Sequence, residues 1–139
     1  MSTIKRFSIS LDNALLEKFK RKIMTKGYAN RSQAMADLIR KSLVNIEWDA
    51  SQGEVIGTVT LVYNHHRKDI VNQLVSLQHQ FHQGILATTH IHMDKENCLE
   101  VLVVKGKAKK IREVYNQLGR LKGIKFSDLS TATTGRHLT

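Results

Sequence analysis

"GILATTHIHMDKENCLEVLVVKG", residues 84–106, reads as two strands folded back on one short turn. The second strand is rich in Val and Leu, and the polar run "DKEN" (94–97) between the two supplies the turn. Side chains alternate along a strand, so Ile85, Ala87, Ile91 and Met93 share one face while His90 and His92 share the other, less apolar one. If His92 pairs across the turn with Cys98, two imidazoles and the only thiol of the chain converge on one face without distorting the backbone.

Working outward, "EVIGTVTLVY" (54–63) is a strand rich in β-branched residues. "RKDIVNQLVSLQHQF" (67–81) follows as a helix whose buried stripe is Ile70, Val71, Leu74, Leu77 and Phe81. Beyond the hairpin come a helix over "KAKKIREVYNQLGRL" (107–121), stopped near Gly123, and a last strand over "IKFSDLSTAT" (124–133). The order β-α-β-β-α-β is the split βαβ, ferredoxin-like arrangement, also used by ACT domains.

The N-terminal third has a different pattern. "IKRFSISLD" (4–12) alternates, with Phe7, Ile9 and Leu11 on one face and Arg6, Ser8 and Ser10 on the other, as in a half-buried strand. Asp12 is placed to cap a helix with apolar residues at Leu15, Leu16, Phe19 and Ile23, and Gly27 to stop it. A second helix opens at "NRSQ" (30–33), where Asn30 and Gln33 have capping-box spacing, and carries Met35, Leu38, Ile39 and Leu43 as its stripe. A lone strand leaves both its edges unpaired, and the same strand of a second chain is the economical partner. That yields a ribbon-helix-helix dimer, whose strand pair belongs to the class that reads DNA from the major groove. "IEWDASQG" (46–53) then breaks the helical pattern. The expected class is therefore α+β: a dimeric β-α-α ribbon-helix-helix domain over 1–47, a linker over 48–53 and a ferredoxin-like, ACT-type βαββαβ domain over 54–139.

A chain of 139 residues with 41% hydrophobic residues can bury a real core. The formal net charge of +10 points to a polyanionic partner, nucleic acid before any other. No apolar run approaches the roughly 20 residues of a membrane span, and no secretory h-region opens the chain, so a cytoplasmic protein without a membrane partner is expected. One cysteine can form no internal disulfide, which leaves Cys98 as a packed residue or a metal or redox group. His90, His92 and Cys98 need a fourth ligand for closed coordination, and His79, His82, His65 and His66 are all near in sequence. Three imidazoles and a thiolate suit Zn, Cu or Ni, with a tetrahedral site favouring Zn and a planar one Ni(II) or Cu(II).

"RFSISLD" and "GYANRSQA", followed by "SLQHQFH", "TTHIHMDKENCLEV" and "VVKG", resemble the nickel-responsive transcriptional repressors of the NikR family over nearly the whole chain. The resemblance implies one Ni(2+) per subunit at an intersubunit site, held by His90, His92, Cys98 and the His79 of a neighbouring subunit. It further implies a homotetramer, a dimer of dimers with the ferredoxin-like domains at its centre, that binds double-stranded operator DNA and represses nickel-uptake genes with Ni(II) as corepressor. The family's base-contacting strand positions fall on Arg6, Ser8 and Ser10, whose donors and acceptors suit base edges. Asn30, Arg31 and Ser32 open a helix and are placed to hold a phosphate, and Arg67 and Lys68 to touch the DNA backbone. Gln78 and Glu100 are placed to support the ligands. In that family a carboxylate often stands where this chain has Gln33, and joins an aspartate, here Asp37, in a secondary cation site. The other readings are a Zn- or Cu-responsive regulator of the same fold, a metallohydrolase and an amino-acid-sensing ACT regulator. An enzyme is disfavoured, because four protein ligands leave the metal no open position and no carboxylate base stands beside them.

Overall fold

The computed structural model of the chain describes residues 3–50, 53–136 and 138. Two compact units are distinguished, one reaching to Leu43 and one running Val44–Arg136. In chain order the elements are α1 (Asn13–Thr25), α2 (Arg31–Ala50), β1 (Glu54–Asn64), α3 (Lys68–Gln80), β2 (Ile85–His92), β3 (Asn97–Lys107), α4 (Ala108–Gly119) and β4 (Ile124–Ala132).

In the first unit the helix ends follow local chemistry. Asp12 Oδ1 accepts the Leu15 N–H at 3.1 Å, which satisfies one of the orphan donors that open α1. Past its end, Gly27 takes φ +73°, a left-handed value that costs glycine nothing. Asn30 Oδ1 caps α2 by accepting the Gln33 N–H at 2.9 Å. Gln33 thus contributes its backbone rather than the side-chain return bond that capping-box spacing suggests.

The strand expected over residues 4–12 does not form in the single chain. A strand needs a ladder partner, and the described residues of this unit hold no second strand to supply it. Phe7 and Ile9 consequently stand 70% and 61% exposed, and Leu15, Leu38, Ile39 and Leu43 are also on the surface. Of the hydrophobic residues described in this unit, only Ile23 and Ala34 are buried.

The second unit is the expected βαββαβ fold. Its sheet has the order β2-β3-β1-β4 with every neighbouring pair antiparallel. Central β1 pairs with β3 from Glu54↔Lys107 to Asn64↔Asn97, and with β4 on its other side. This register puts Val55, Val59, Leu61 and Tyr63 on the same face as Cys98, Glu100, Leu102 and Val104, and all eight are buried. The core closes from above with Ile70 and Leu74 of α3 and Ala108, Ile111, Val114 and Leu118 of α4. Ile91 and Phe126, which fall on the opposite face, are 50% and 55% exposed.

Within the stretch 48–53 read from the sequence as a linker, α2 continues through Ala50 and Trp48 is 2% exposed. The indole lies on β1 where Gly57 leaves room for it, since a Cβ there would meet two of its ring atoms at 3.1 Å. Its Nε1–H donates to the Ala132 carbonyl at 2.8 Å, Thr133 donates to Glu47 at 3.1 Å, and Arg112 of α4 donates to Asp49 at 3.1 Å. Long-range burial thus overrides a polar local sequence. Replacing Trp48 by Ala is expected to cost about 3–5 kcal/mol in urea unfolding of the second unit. A loss below about 1 kcal/mol would return residues 48–50 to the status of a linker.

Candidate metal centre

The register that builds the sheet also assembles the histidine–cysteine edge. β2 pairs with β3 through His90↔Glu100 and His92↔Cys98, so the three expected chain-internal ligands lie on one face of adjacent strands. The turn between them is held by Asp94, whose Oδ1 accepts the Glu96 and Asn97 N–H groups at 2.8 and 2.7 Å. These bonds, the Asn97 side chain foremost, hold the Asp94 carboxyl down at about 2. The shared face is the helix-bearing one. His90 nevertheless stays exposed, with its side chain 41% accessible, because β2 is the outer strand of the sheet.

Behind His90 runs a chain of hydrogen bonds. Glu100 is 6% exposed, and its two carboxylate oxygens accept from Gln78 Nε2 of α3 and from the Tyr63 hydroxyl, each at 2.6 Å. The same hydroxyl lies 3.4 Å from His90 Nδ1, and Glu100 Oε2 lies 4.0 Å from it. Tyr63 is itself buried, and burial followed by the Glu100 contact pushes its pKa upward, so it remains a donor. An imidazole anchored on its Nδ1 side keeps Nε2 for a metal, the usual way in which outer partners orient a ligand. Gln78 and Glu100, both expected to support the ligands, are thus hydrogen-bonded to each other. Tyr63 was missed: its signal is the β1 alternation that sets it on the buried face, but only the Tyr63↔Cys98 pairing brings it to the site.

Cys98 is fully buried, with Sγ 3.5 Å from the Tyr63 carbonyl, and burial pushes its pKa upward. The His90 and His92 rings are 5.1 Å apart, and His65 lies 4.5 Å from His92 and 4.3 Å from His66. His66 Nε2 donates to the Lys95 carbonyl at 2.6 Å. His79, in the last turn of α3, neighbours His82 at 6.0 Å between ring centroids. Among the described residues no three His, Cys, Asp or Glu side chains meet in a group able to hold a metal. One copy brings His90, His92 and Cys98 to a common face of two paired strands. The donor set still fits a thiophilic, imidazole-binding ion such as Ni(II), Cu(II) or Zn(II).

The expected DNA contacts divide in two. Arg6, Ser8 and Ser10 are exposed in the unpaired N-terminal segment, and Arg31 and Ser32 are exposed in the first turn of α2, just after the capping Asn30. Lys68 is exposed at the first position of α3. Arg67 is committed to its own unit: its guanidinium donates to Asp69 at 2.7 and 3.3 Å and lies against Gly123, where a Cβ would sit 3.0 Å from Nη1.

Fold and site together define a class, a ferredoxin-like domain with a histidine–cysteine face along its outer hairpin. The family described as the NikR C terminal nickel binding domain matches residues 56–132. Relatives whose names contain the words "nickel-responsive regulator" are 50% identical over 133 residues in Geotalea uraniireducens, covering 96% of both chains, and 50% identical over 135 residues in Thermococcus onnurineus, covering 97% of this chain and 98% of that one. A solved structure titled as the uncharacterized protein TM1266 from Thermotoga maritima shares the fold with a TM-score of 0.53 at 21% identity, over 58% of this chain and 99% of that one. The chain belongs to the NikR family, and is a regulatory protein rather than an enzyme.

Tyr63→Phe is expected to keep the fold and lose about 1.5–3 kcal/mol of stability, the value of a hydrogen bond to a buried carboxylate. Because it frees the Nδ1 side of His90, nickel affinity measured by competition with a chelator should fall by about tenfold or more. Unchanged affinity would show that Tyr63 does not orient the imidazole.

Proposed function

We propose that this protein is a nickel-dependent, DNA-binding transcriptional repressor of nickel-uptake genes, working in the cytoplasm as a homotetramer. The observation that carries the reading is the cross-strand pair His92↔Cys98 with His90 two residues back on the same face. These three, with His79 of a neighbouring subunit, would hold one Ni(II) per subunit. Bound there, the ion supplies a bond between subunits. Membership of the NikR family supports nickel over zinc or copper.

Assembly follows from what one copy leaves unfinished. A second N-terminal unit gives residues 4–12 a ladder partner and covers Phe7, Ile9 and Leu11, leaving Arg6, Ser8 and Ser10 outward for base edges. Asn30, Arg31 and Ser32 then present backbone N–H groups to a phosphate, and Lys68 adds a cation. Arg67 keeps a positioning role through Asp69 and Gly123. The excess of 22 Lys and Arg over 12 Asp and Glu favours a polyanion throughout. No helix among the described residues is long and apolar enough to cross a membrane. Nickel and DNA are coupled by linkage, because an ion that binds one tetramer arrangement better shifts the population toward it.

The direct test is DNA binding across genomic fragments with and without stoichiometric nickel, where nickel-insensitive binding would refute the corepressor role. Arg6→Ala is expected to weaken operator binding by about 1–3 kcal/mol and relax base preference, whereas Lys68→Ala lowers affinity for all sequences alike. Cys98→Ser is expected to fold yet lose nickel affinity, since a neutral hydroxyl is a poor ligand for Ni(II). His79→Ala should lose it by removing the neighbour's ligand. Mixed tetramers of these two variants should regain some intact sites, and complete failure to bind nickel in verified mixtures would place all four ligands on one chain.

A further inference from the structure

The two imidazoles on β2 are steadied in different ways. His90 has the Tyr63 hydroxyl 3.4 Å from its Nδ1. No side-chain hydrogen bond holds His92 among the described residues. Its neighbours are rings: His90 at 5.1 Å, and closer still His65, whose centroid is 4.5 Å away with the planes 38° apart.

The end of β1 places the His65 ring. Tyr63 and His65 are two residues apart and so fall on one side of the chain, Tyr63 beside His90 and His65 beside His92. The bonding between β1 and β3 carries on past Asn64↔Asn97, because the His65 N–H donates to the Glu96 carbonyl at 3.0 Å. The His66 ring adds a second contact at 4.3 Å. His66 is pinned in turn, its backbone N–H donating to Asn64 Oδ1 at 2.9 Å and its Nε2 to the Lys95 carbonyl at 2.6 Å. His65 is thus fixed to the turn from which His92 and Cys98 diverge. Its Nδ1 is buried and has no hydrogen-bond partner. An unsatisfied buried polar atom costs stability and calls for a reason. The contacts that this side chain does make are those of its ring with His66 and His92.

We propose that His65 is a positioning residue for the metal site: its ring is the wall that holds the His92 imidazole ready for the ion, and its nitrogens do not ligate. The inference rests on the reading of His92 as a nickel ligand. The four proposed ligands already close the coordination, so no fifth donor is needed. A ligand held in place beforehand loses less freedom when the ion binds, and the wall therefore acts on metal affinity.

Nickel affinity of full-length variants, measured by competition with a chelator, tests this, together with the absorption spectrum of the loaded proteins and thermal unfolding of the nickel-free ones. His65→Ala removes the wall and is expected to lower nickel affinity by about tenfold, the order of loss when an outer partner of a ligand is removed. His65→Phe keeps a ring and removes both nitrogens. It should bind nickel as the natural chain does and give the same spectrum, because no donor atom changes. Equal losses in the two variants would show that a nitrogen matters and would overturn the proposal in favour of a ligand. Unchanged affinity in His65→Ala overturns it outright. Should His65→Phe fail to fold, His65→Tyr also presents a ring and carries the same expectation. A natural chain that binds no nickel is a separate result, which refutes the metal site itself.

Discussion

The pairing of β1 with β3 is the constraint from which the rest of the second unit follows. Eleven residues on each strand match without a slip, and a shift of one would send every side chain to the opposite face. In the observed register the buried face is apolar over most of its length and becomes polar at one end, where Tyr63, Cys98 and Glu100 meet. A carboxylate buried among apolar groups is costly unless its oxygens are satisfied, and Gln78 and Tyr63 satisfy both. The same two bonds tie α3 and β1 to the strand that carries the thiol. Core packing and site geometry are one arrangement.

The site lies at the margin of that arrangement. β2 is an outer strand with no buried residue along its length, whereas buried positions alternate along β1 and along β3 as far as Val104. The proposed ligands on this strand are backed by the core through Tyr63 and Glu100, and His90 is open to solvent in front. The proposed sharing of a metal between subunits would use this division, since a fully enclosed site in one copy could not report on the presence of another. Most of the first unit's apolar stripe is exposed on the same logic: its residues cover a second copy of themselves in the proposed ribbon-helix-helix dimer.

Charge is handled differently in the two units. Glu100 is buried and relies on neutral donors, whereas Asp37 is half-exposed and meets a guanidinium one helical turn away. The second pairing is local in sequence, is screened by solvent and salt, and contributes little to stability.

Much of this was legible in the amino-acid order alone. The βαββαβ order, the α1 and α2 caps at Asp12 and Asn30, and the His90–His92 alternation depend on residues within a few positions of one another, where periodicity and side-chain chemistry act directly. The His92↔Cys98 pairing was also readable, because a four-residue turn leaves little freedom of register. Other features were decided only by tertiary structure. Trp48 looked like part of a linker until Gly57, nine residues on, and Ala132, at the far end of the chain, offered it a seat and a hydrogen-bond acceptor. Tyr63 joined the site through a partner thirty-five residues away in sequence. The strand expected over residues 4–12 does not form in the single chain, where no ladder partner for it is found among the described residues. Hydrophobic alternation can mark a face as apolar, but what covers that face is set by contacts between residues distant in sequence or carried on another molecule.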